Sequence, residues 1–208
     1  MARYTGPSCR LCRRAGQKLF LKGDRCLSPK CAIERRRAVP GDPKRRRRRL
    51  SDWGVHLREK QKARQQYGIL EAQFRKHYEE ARRQPGMTGE NLLRILESRL
   101  DNVVYRLGFA DSRKQARQLV RHGLITVNAR KTDIPSYLTH AGEVITWSER
   151  GKKTEYFGVV TQTIRRKQIP TWLMLDVDNL TGRVAALPQR GEIDSRVDER
   201  LIVEFYSR

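Results

Sequence analysis

Arg99-Leu100-Asp101-Asn102-Val103-Val104-Tyr105-Arg106-Leu107-Gly108, then Ser112-Arg113-Lys114-Gln115-Ala116-Arg117-Gln118-Leu119-Val120-Arg121-His122-Gly123 and Ile125-Thr126-Val127-Asn128, reads as helix, helix, strand. Upstream, Leu92, Leu96, Leu100, Val103 and Leu107 follow one face at intervals of four, four, three and four. That spacing predicts a single helix from Thr88, ended by Gly108 where a left-handed C-cap residue belongs. Ser112 with Gln115 forms a capping box that opens the second helix. Its apolar arc is Ala116, Leu119 and Val120; an adjacent arc is cationic, with Arg113, Arg117 and Arg121 at i, i+4 and i+8 and Lys114 beside them. This stripe is expected to lie off the packed face and to be dispensable for stability.

Ile125 and Val127 alternate with Thr126 and Asn128, a half-buried strand, and Asn128-Ala129-Arg130-Lys131 makes a basic turn. Ala129 cannot take a positive φ cheaply, so a turn without that requirement is expected. Val144–Trp147, Leu173–Val177 and Gly182–Leu187 read as further strands, while Leu201–Tyr206 fits helix or strand equally. Arg113, Lys114, Arg117, Arg121, His122, Arg130 and Lys131 would then line one edge, suited to an RNA backbone read by shape.

Towards the N-terminus, Ser51-Asp52 caps a helix that Gly68 ends, and Leu70–Arg83 forms another with Leu70, Phe74, Tyr78 and Ala81 inward. Trp53, Tyr67, Phe74 and Tyr78 are expected in a small core. Lys44 to Arg49, five of these six residues being Arg, follow Pro40-Gly41-Asp42-Pro43. A like-charged run cannot fold on itself, so it is expected to be an extended arm held by phosphates.

The four cysteines, Cys9, Cys12, Cys26 and Cys31, are spaced C-x2-C, x13, C-x4-C. Four thiolates can close a tetrahedron around one structural zinc, with Gly6-Pro7, Gly23-Asp24 and Ser28-Pro29 shaping turns for the pairs. Disulfides, four unconnected buried thiols or an iron–sulfur cluster are the alternatives. Met1-Ala2-Arg3-Tyr4 lacks the apolar region of a secretory signal and no stretch reaches the length of a membrane span, so a reducing cytoplasm is expected and zinc comes first.

Forty-five Lys and Arg against 23 Asp and Glu leave +22 over 208 residues. Such a surplus calls for a polyanion, and nucleic acid is the expected partner, with neither a membrane nor a small-molecule substrate. Glu192, Asp194, Asp198 and Glu199 form an acidic exception that could face a basic protein.

The stretch from Arg99 to Asn128 resembles the RNA-binding module of the S-four family of bacterial small-subunit ribosomal proteins. Ser51-Asp52-Trp53-Gly54, Leu57-Arg58-Glu59-Lys60-Gln61-Lys62, the start Arg3-Tyr4-x-Gly6-Pro7 and the ending Ile202–Arg208 are similar to the same family, and the cysteines to its zinc-bearing form. Ala129 departs from it where a Gly is usual, and Ala38–Pro43 is shorter than expected. The resemblance implies a structural protein that binds small-subunit ribosomal RNA early and nucleates assembly of the subunit body. It also implies a neighbour, small-subunit ribosomal protein five, an influence on translational accuracy, and a place beside incoming messenger RNA. RNA contacts are then expected from Arg45, Arg46, Arg47, Arg48, Arg49, Arg58, Lys60 and Lys62 together with the module's edge.

The expected fold is α+β: a zinc-binding segment and basic arm over 1–45, a helical domain over 46–91 with the tail from about 190 packed back on it, and over 92–189 an RNA-binding module of two helices with a small, mainly antiparallel sheet. Two rivals remain. Pseudouridine synthases carry a similar module and a catalytic Asp in an Arg-Leu-Asp triplet that Arg99-Leu100-Asp101 imitates, but about sixty residues beyond the module are too few for an enzyme core. A zinc-dependent DNA-binding regulator would need a recognition helix and dimer symmetry.

Overall fold

A computed structural model of the chain describes residues 3–35, 38–41, 50–193 and 196–207. In chain order the helices are α1 Ser8–Ala15, α2 Ala32–Arg35, α3 Asp52–Gln66, α4 Glu71–Arg83, α5 Thr88–Glu97, α6 Leu100–Arg106, α7 Arg113–Arg121, α8 Glu149–Lys152, α9 Glu155–Thr163 and α10 Glu199–Tyr206. The strands are β1 Ile125–Val127, β2 Arg130–Lys131, β3 Val144–Trp147, β4 Leu173–Asp176 and β5 Thr181–Val184. The chain splits into two compact units, Met1–Leu92 with Ser195–Arg208, and Leu93–Asp194, and all five strands lie in the second.

In the first unit, Ser51 caps α3 by accepting a hydrogen bond from the Gly54 amide at 3.3 Å. Tyr67, Phe74, Tyr78 and Ala81 are buried. The ambiguous tail is a helix: Asp198 caps it through the Arg200 amide at 3.0 Å, and α10 packs against α3. Tyr206 stacks on Tyr78 with ring centroids 4.5 Å apart, which is why its aromatic run needs a helical rather than a strand period. Trp53, expected in the core, is 54% exposed: it stands on the first turn of α3, with the Phe205 ring centre 6.1 Å away.

The second unit corrects the long helix expected from Thr88 to Gly108. Arg99 is extended (φ −68°, ψ 137°) and separates α5 from α6. Its neighbours' helical hydrogen bonds are replaced by a distant segment: the Leu100 amide donates to the Tyr137 carbonyl at 2.8 Å, Asp101 to Pro135 at 3.1 Å, and Thr139 to Ser98 at 2.8 Å. The apolar spacing survives the break, and Leu92, Leu96, Leu100, Val103 and Leu107 are all fully buried.

Gly108, at φ +80°, turns the chain towards α7. The capping box is half formed: the Gln115 amide donates to Ser112 Oγ at 3.3 Å, but the Gln115 side chain accepts from the Asp111 amide instead. The five strands form an antiparallel sheet in the order β2-β1-β3-β5-β4. Its inner face, Ile125, Val127, Ile145, Trp147, Leu173 and Val184, is buried with α6 and α7. Gly182 permits the closest approach, since a Cβ there would strike Leu107.

The β1–β2 turn also corrects the sequence reading. Asn128 (φ 49°) and Ala129 (φ 63°) are both left-handed, the two-residue form that matches strand twist. Asn128 is held there because its amide donates to the Val144 carbonyl at 2.8 Å and its Oδ1 accepts from the Val144 amide at 2.9 Å. Ala129 thus adopts a conformation that costs an L-residue roughly 1–2 kcal/mol. Ala129→Gly is expected to raise stability by about 1 kcal/mol and the melting temperature by about 2–4 °C. Thermal unfolding followed by circular dichroism measures this, and a fall would show that the turn is held in another form.

Candidate nucleic-acid interface

At the start of the module lies a buried ionic cluster. Glu97 closes α5 and accepts from Arg106 Nε at 2.9 Å, Arg106 Nη2 at 2.8 Å and Asn102 Nδ2 at 2.7 Å. Asn102 Oδ1 accepts from Arg113 Nε at 2.7 Å, and the Arg113 guanidinium sits 4.6 Å from the Tyr105 ring centre. Asp101 is gripped by Arg99 Nε and Nη2 at 3.2 and 3.1 Å and by Arg117 Nη1 at 3.0 Å.

Two members of the expected cationic edge are therefore turned inward. Arg113 is 8% exposed and the Arg117 side chain 13% exposed. Carboxylates on α5 and α6 draw them in, so they brace the hairpin of helices and do not lie off the packed face. Arg121, one turn later, is exposed, as are His122, Arg130 and Lys131, while Lys114 is half-buried. The Lys131 side chain lies against Gly123, bringing β2 to the end of α7.

Three cations at this end escaped the sequence reading. Ser148 Oγ donates to the Gly123 carbonyl at 3.1 Å, and its amide to the Leu124 carbonyl at 2.9 Å. These bonds start α8 beside the end of α7 and place exposed Arg150, Lys152 and Lys153 there. The run Arg150-x-Lys152-Lys153, directly after a strand, was the available signal.

The first unit supplies less of the expected set. Arg58 is exposed, but Lys60 and Lys62 are buried. Lys60 donates to Glu71 Oε1 at 2.5 Å with its ammonium 4.4 Å from the Phe205 ring centre, and Lys62 pairs with Glu59. Lys60 ties α3 to α4 and α10, because carboxylate and aromatic partners replace water around its ammonium, whereas Lys62 is held within α3. Arg45, Arg46, Arg47, Arg48 and Arg49 lie outside the described residues. The acidic group is used locally: Glu192 accepts from Thr171 and from the Gln189 amide, and Asp198 caps α10, while Asp194 lies outside the described residues.

Cys9 and Cys12 stand on α1, where a turn was expected; Cys26 ends a 3-10 turn, Gly23–Cys26, and Cys31 precedes α2. All four are free thiols; Cys12, Cys26 and Cys31 are buried, Cys12 in one cluster with Leu19 and Leu21. Burial pushes the Cys12 and Cys26 thiols up and neighbouring cysteines push the same way, against backbone amides of Leu19 and Lys22 that donate to the sulfurs. Among the described residues no three Cys, His, Asp or Glu side chains are drawn into a metal-holding group. As thiolates, four cysteines are a donor set chemically suited to a divalent cation.

The model of the ribosomal protein S4/S9 N-terminal domain matches residues 3–97, and that of the S4 domain matches residues 98–145. Small ribosomal subunit protein uS4 of Pelotomaculum thermopropionicum is 57% identical over 208 residues, covering all of both chains. The uS4 protein of Heliobacterium modesticaldum is 56% identical and the uS4A protein of Alkaliphilus oremlandii 55%, again over both full lengths. The chain belongs to the uS4 family.

The boundary between the two matched uS4 family regions falls at the break that Arg99 makes between α5 and α6. Asp101, whose triplet imitates that of an enzyme, is 4% exposed and clamped by two guanidinium groups, which suits a structural uS4 module. No described helix is long and apolar enough to cross a membrane.

Proposed function

We propose that this uS4 family member is a structural, non-catalytic constituent of the small ribosomal subunit, working in the cytoplasm within the ribosome and binding small-subunit ribosomal RNA directly. The observation that carries the RNA reading is the gathering of exposed Arg121, His122, Arg130, Lys131, Arg150 and Lys153 around the end of α7, on a module whose inward arginines already have partners. Cations that stay in water on a rigid frame are available to phosphates. Replacing Arg121, Arg130 and Lys131 by Ala is expected to flatten the log–log salt dependence of ribosomal RNA binding by roughly one unit for each phosphate no longer engaged, with the melting temperature unchanged. An unchanged slope would reduce this edge to solvated surface.

Early binding that nucleates the subunit body, contact with small-subunit ribosomal protein five, an influence on accuracy, and an arginine arm beside messenger RNA are further parts of this reading, supported by full-length similarity to the uS4 relatives.

We also assign one structural zinc to Cys9, Cys12, Cys26 and Cys31. Bound there as thiolates, the four would tie α1, the 3-10 turn and α2 together around a small apolar cluster of Leu11, Ala15, Leu19, Leu21 and Ile33. Metal analysis of the reduced protein is expected to find one zinc per chain, and a chelator to speed amide exchange over residues 3–35 while sparing β1, β3 and β5. Iron, or intact thiols without metal, would sink the assignment.

A further inference from the structure

The sheet of the second unit has an outer face that the helix-end edge does not use. Thr126 is paired with Lys131 on one side and Thr146 on the other; Val144 is paired with Arg183, and Arg183 with Met174. These side chains alternate with the buried Ile125, Val127, Ile145, Gly182 and Val184, so they share the opposite face. That face stands open among the described residues: Lys131 and Arg183 are exposed, Met174 is 61% exposed, and Thr126, Thr146 and Val144 are half-exposed.

Its chemistry is specific. At its centre Thr126 Oγ1 and Thr146 Oγ1 lie 2.7 Å apart, a hydroxyl pair with lone pairs left to accept. Lys131 stands on β2 and Arg183 on β5, three strand steps across and two residues along, roughly 16 Å. Among the described strand residues the one carboxylate on the same face, Asp176, is turned into its own loop: Oδ1 accepts from the Asp178 and Asn179 amides at 3.0 and 3.2 Å, and Oδ2 from Asn179 Nδ2 at 2.7 Å. The face therefore presents two cations flanking hydroxyls. Through Lys131 it is continuous with the helix-end edge.

We infer that this outer face docks on the minor groove of double-stranded RNA, with Lys131 and Arg183 on phosphates and the Thr126–Thr146 pair against ribose 2′-hydroxyls. This rests on the ribosomal RNA reading and names the part of the RNA that is met. A-form RNA exposes its 2′-hydroxyls in a wide, shallow minor groove that a flat polar surface can approach. A single strand would be served by aromatic stacking side chains, and the paired positions of this face carry none.

Arg183→Glu in the full chain is expected to weaken binding to the small-subunit ribosomal RNA by about tenfold and to lower the salt slope by about one unit. Thr146→Val, which keeps the shape and removes the hydroxyl, is expected to leave the slope alone and to narrow the preference for an RNA duplex over a DNA duplex of the same sequence. In assembled subunits, photocrosslinking should attach nucleotides to the peptide carrying Arg183. Thermal unfolding of each variant controls for folding, with Arg183→Gln as the milder change. If the wild type binds RNA but Arg183→Glu and Thr146→Val bind like it, the outer face is not an RNA surface, and a crosslink from Arg183 to a protein overturns the inference in favour of a protein neighbour. If the wild type does not bind ribosomal RNA, the reading beneath it fails first.

Discussion

Glu97→Gln is expected to destabilise the second unit by about 3–5 kcal/mol, the usual loss when one partner of a buried ion pair is removed. The Glu97 side chain is 1% exposed and serves Arg106, Asn102 and, at 3.7 Å, Arg113. Glutamine keeps the volume but drops the charge, and its amide hydrogens meet guanidinium donors, so two cations lose compensation in a dry site. The melting temperature of this unit should fall by about 10 °C. Lys152→Ala is the contrast: its pair with Glu149 is 47% and 83% exposed, and the change should be within about 0.5 kcal/mol. A loss below about 1 kcal/mol for Glu97→Gln would show that water or relaxation takes over the carboxylate's role.

Tyr206→Ala is the second large effect, at about 3 kcal/mol, towards the lower end for core aromatics because the residue is half-exposed. The ring stacks on Tyr78 at 4.5 Å and lies 6.4 Å from Phe74, while its hydroxyl donates to Glu71 Oε1 at 2.9 Å. Tyr206→Phe should lose only the hydrogen-bond share, about 1.5 kcal/mol for a charged acceptor. Amide exchange in α3 and α4 under denaturant reports the ordering, and equal losses for Ala and Phe would contradict the packing role.

The same site has a pH signature. Burial alone would raise the Glu71 carboxyl, but hydrogen bonds from Lys60 and Tyr206 and the Lys60 and Arg64 charges hold it below its ordinary value of 4.5. Its unfolded form takes up a proton first as pH falls, so this stabilisation is present above pH 4.5 and is lost as pH drops through the lower folded value. Glu71→Gln should remove that part of the acid dependence.

The sequence by itself determined where most elements lie. Alternation marked β1, the apolar spacing from Leu92 to Leu107 marked a buried face, and Ser51 and Ser112 marked helix starts, because each signal depends on bonds between near neighbours. The exposed ends of the basic edge, Arg121, Arg130 and Lys131, were legible for the same reason.

What only the tertiary structure decided was which charges meet water. Arg113 and Arg117 carry the same local pattern as Arg121, yet Glu97 through Asn102, and Asp101, draw them inward. Lys60 is claimed by Glu71 and Phe205 from two other helices. The break at Arg99 and the positive φ of Ala129 follow from backbone partners at residues 135–139 and from the closing β1–β3 pair at Asn128 and Val144. A repeat of 3.6 or 2 residues records the environment along one element; a carboxylate or carbonyl supplied from another element overrides it, because an unpartnered buried polar group costs more than any local preference contributes.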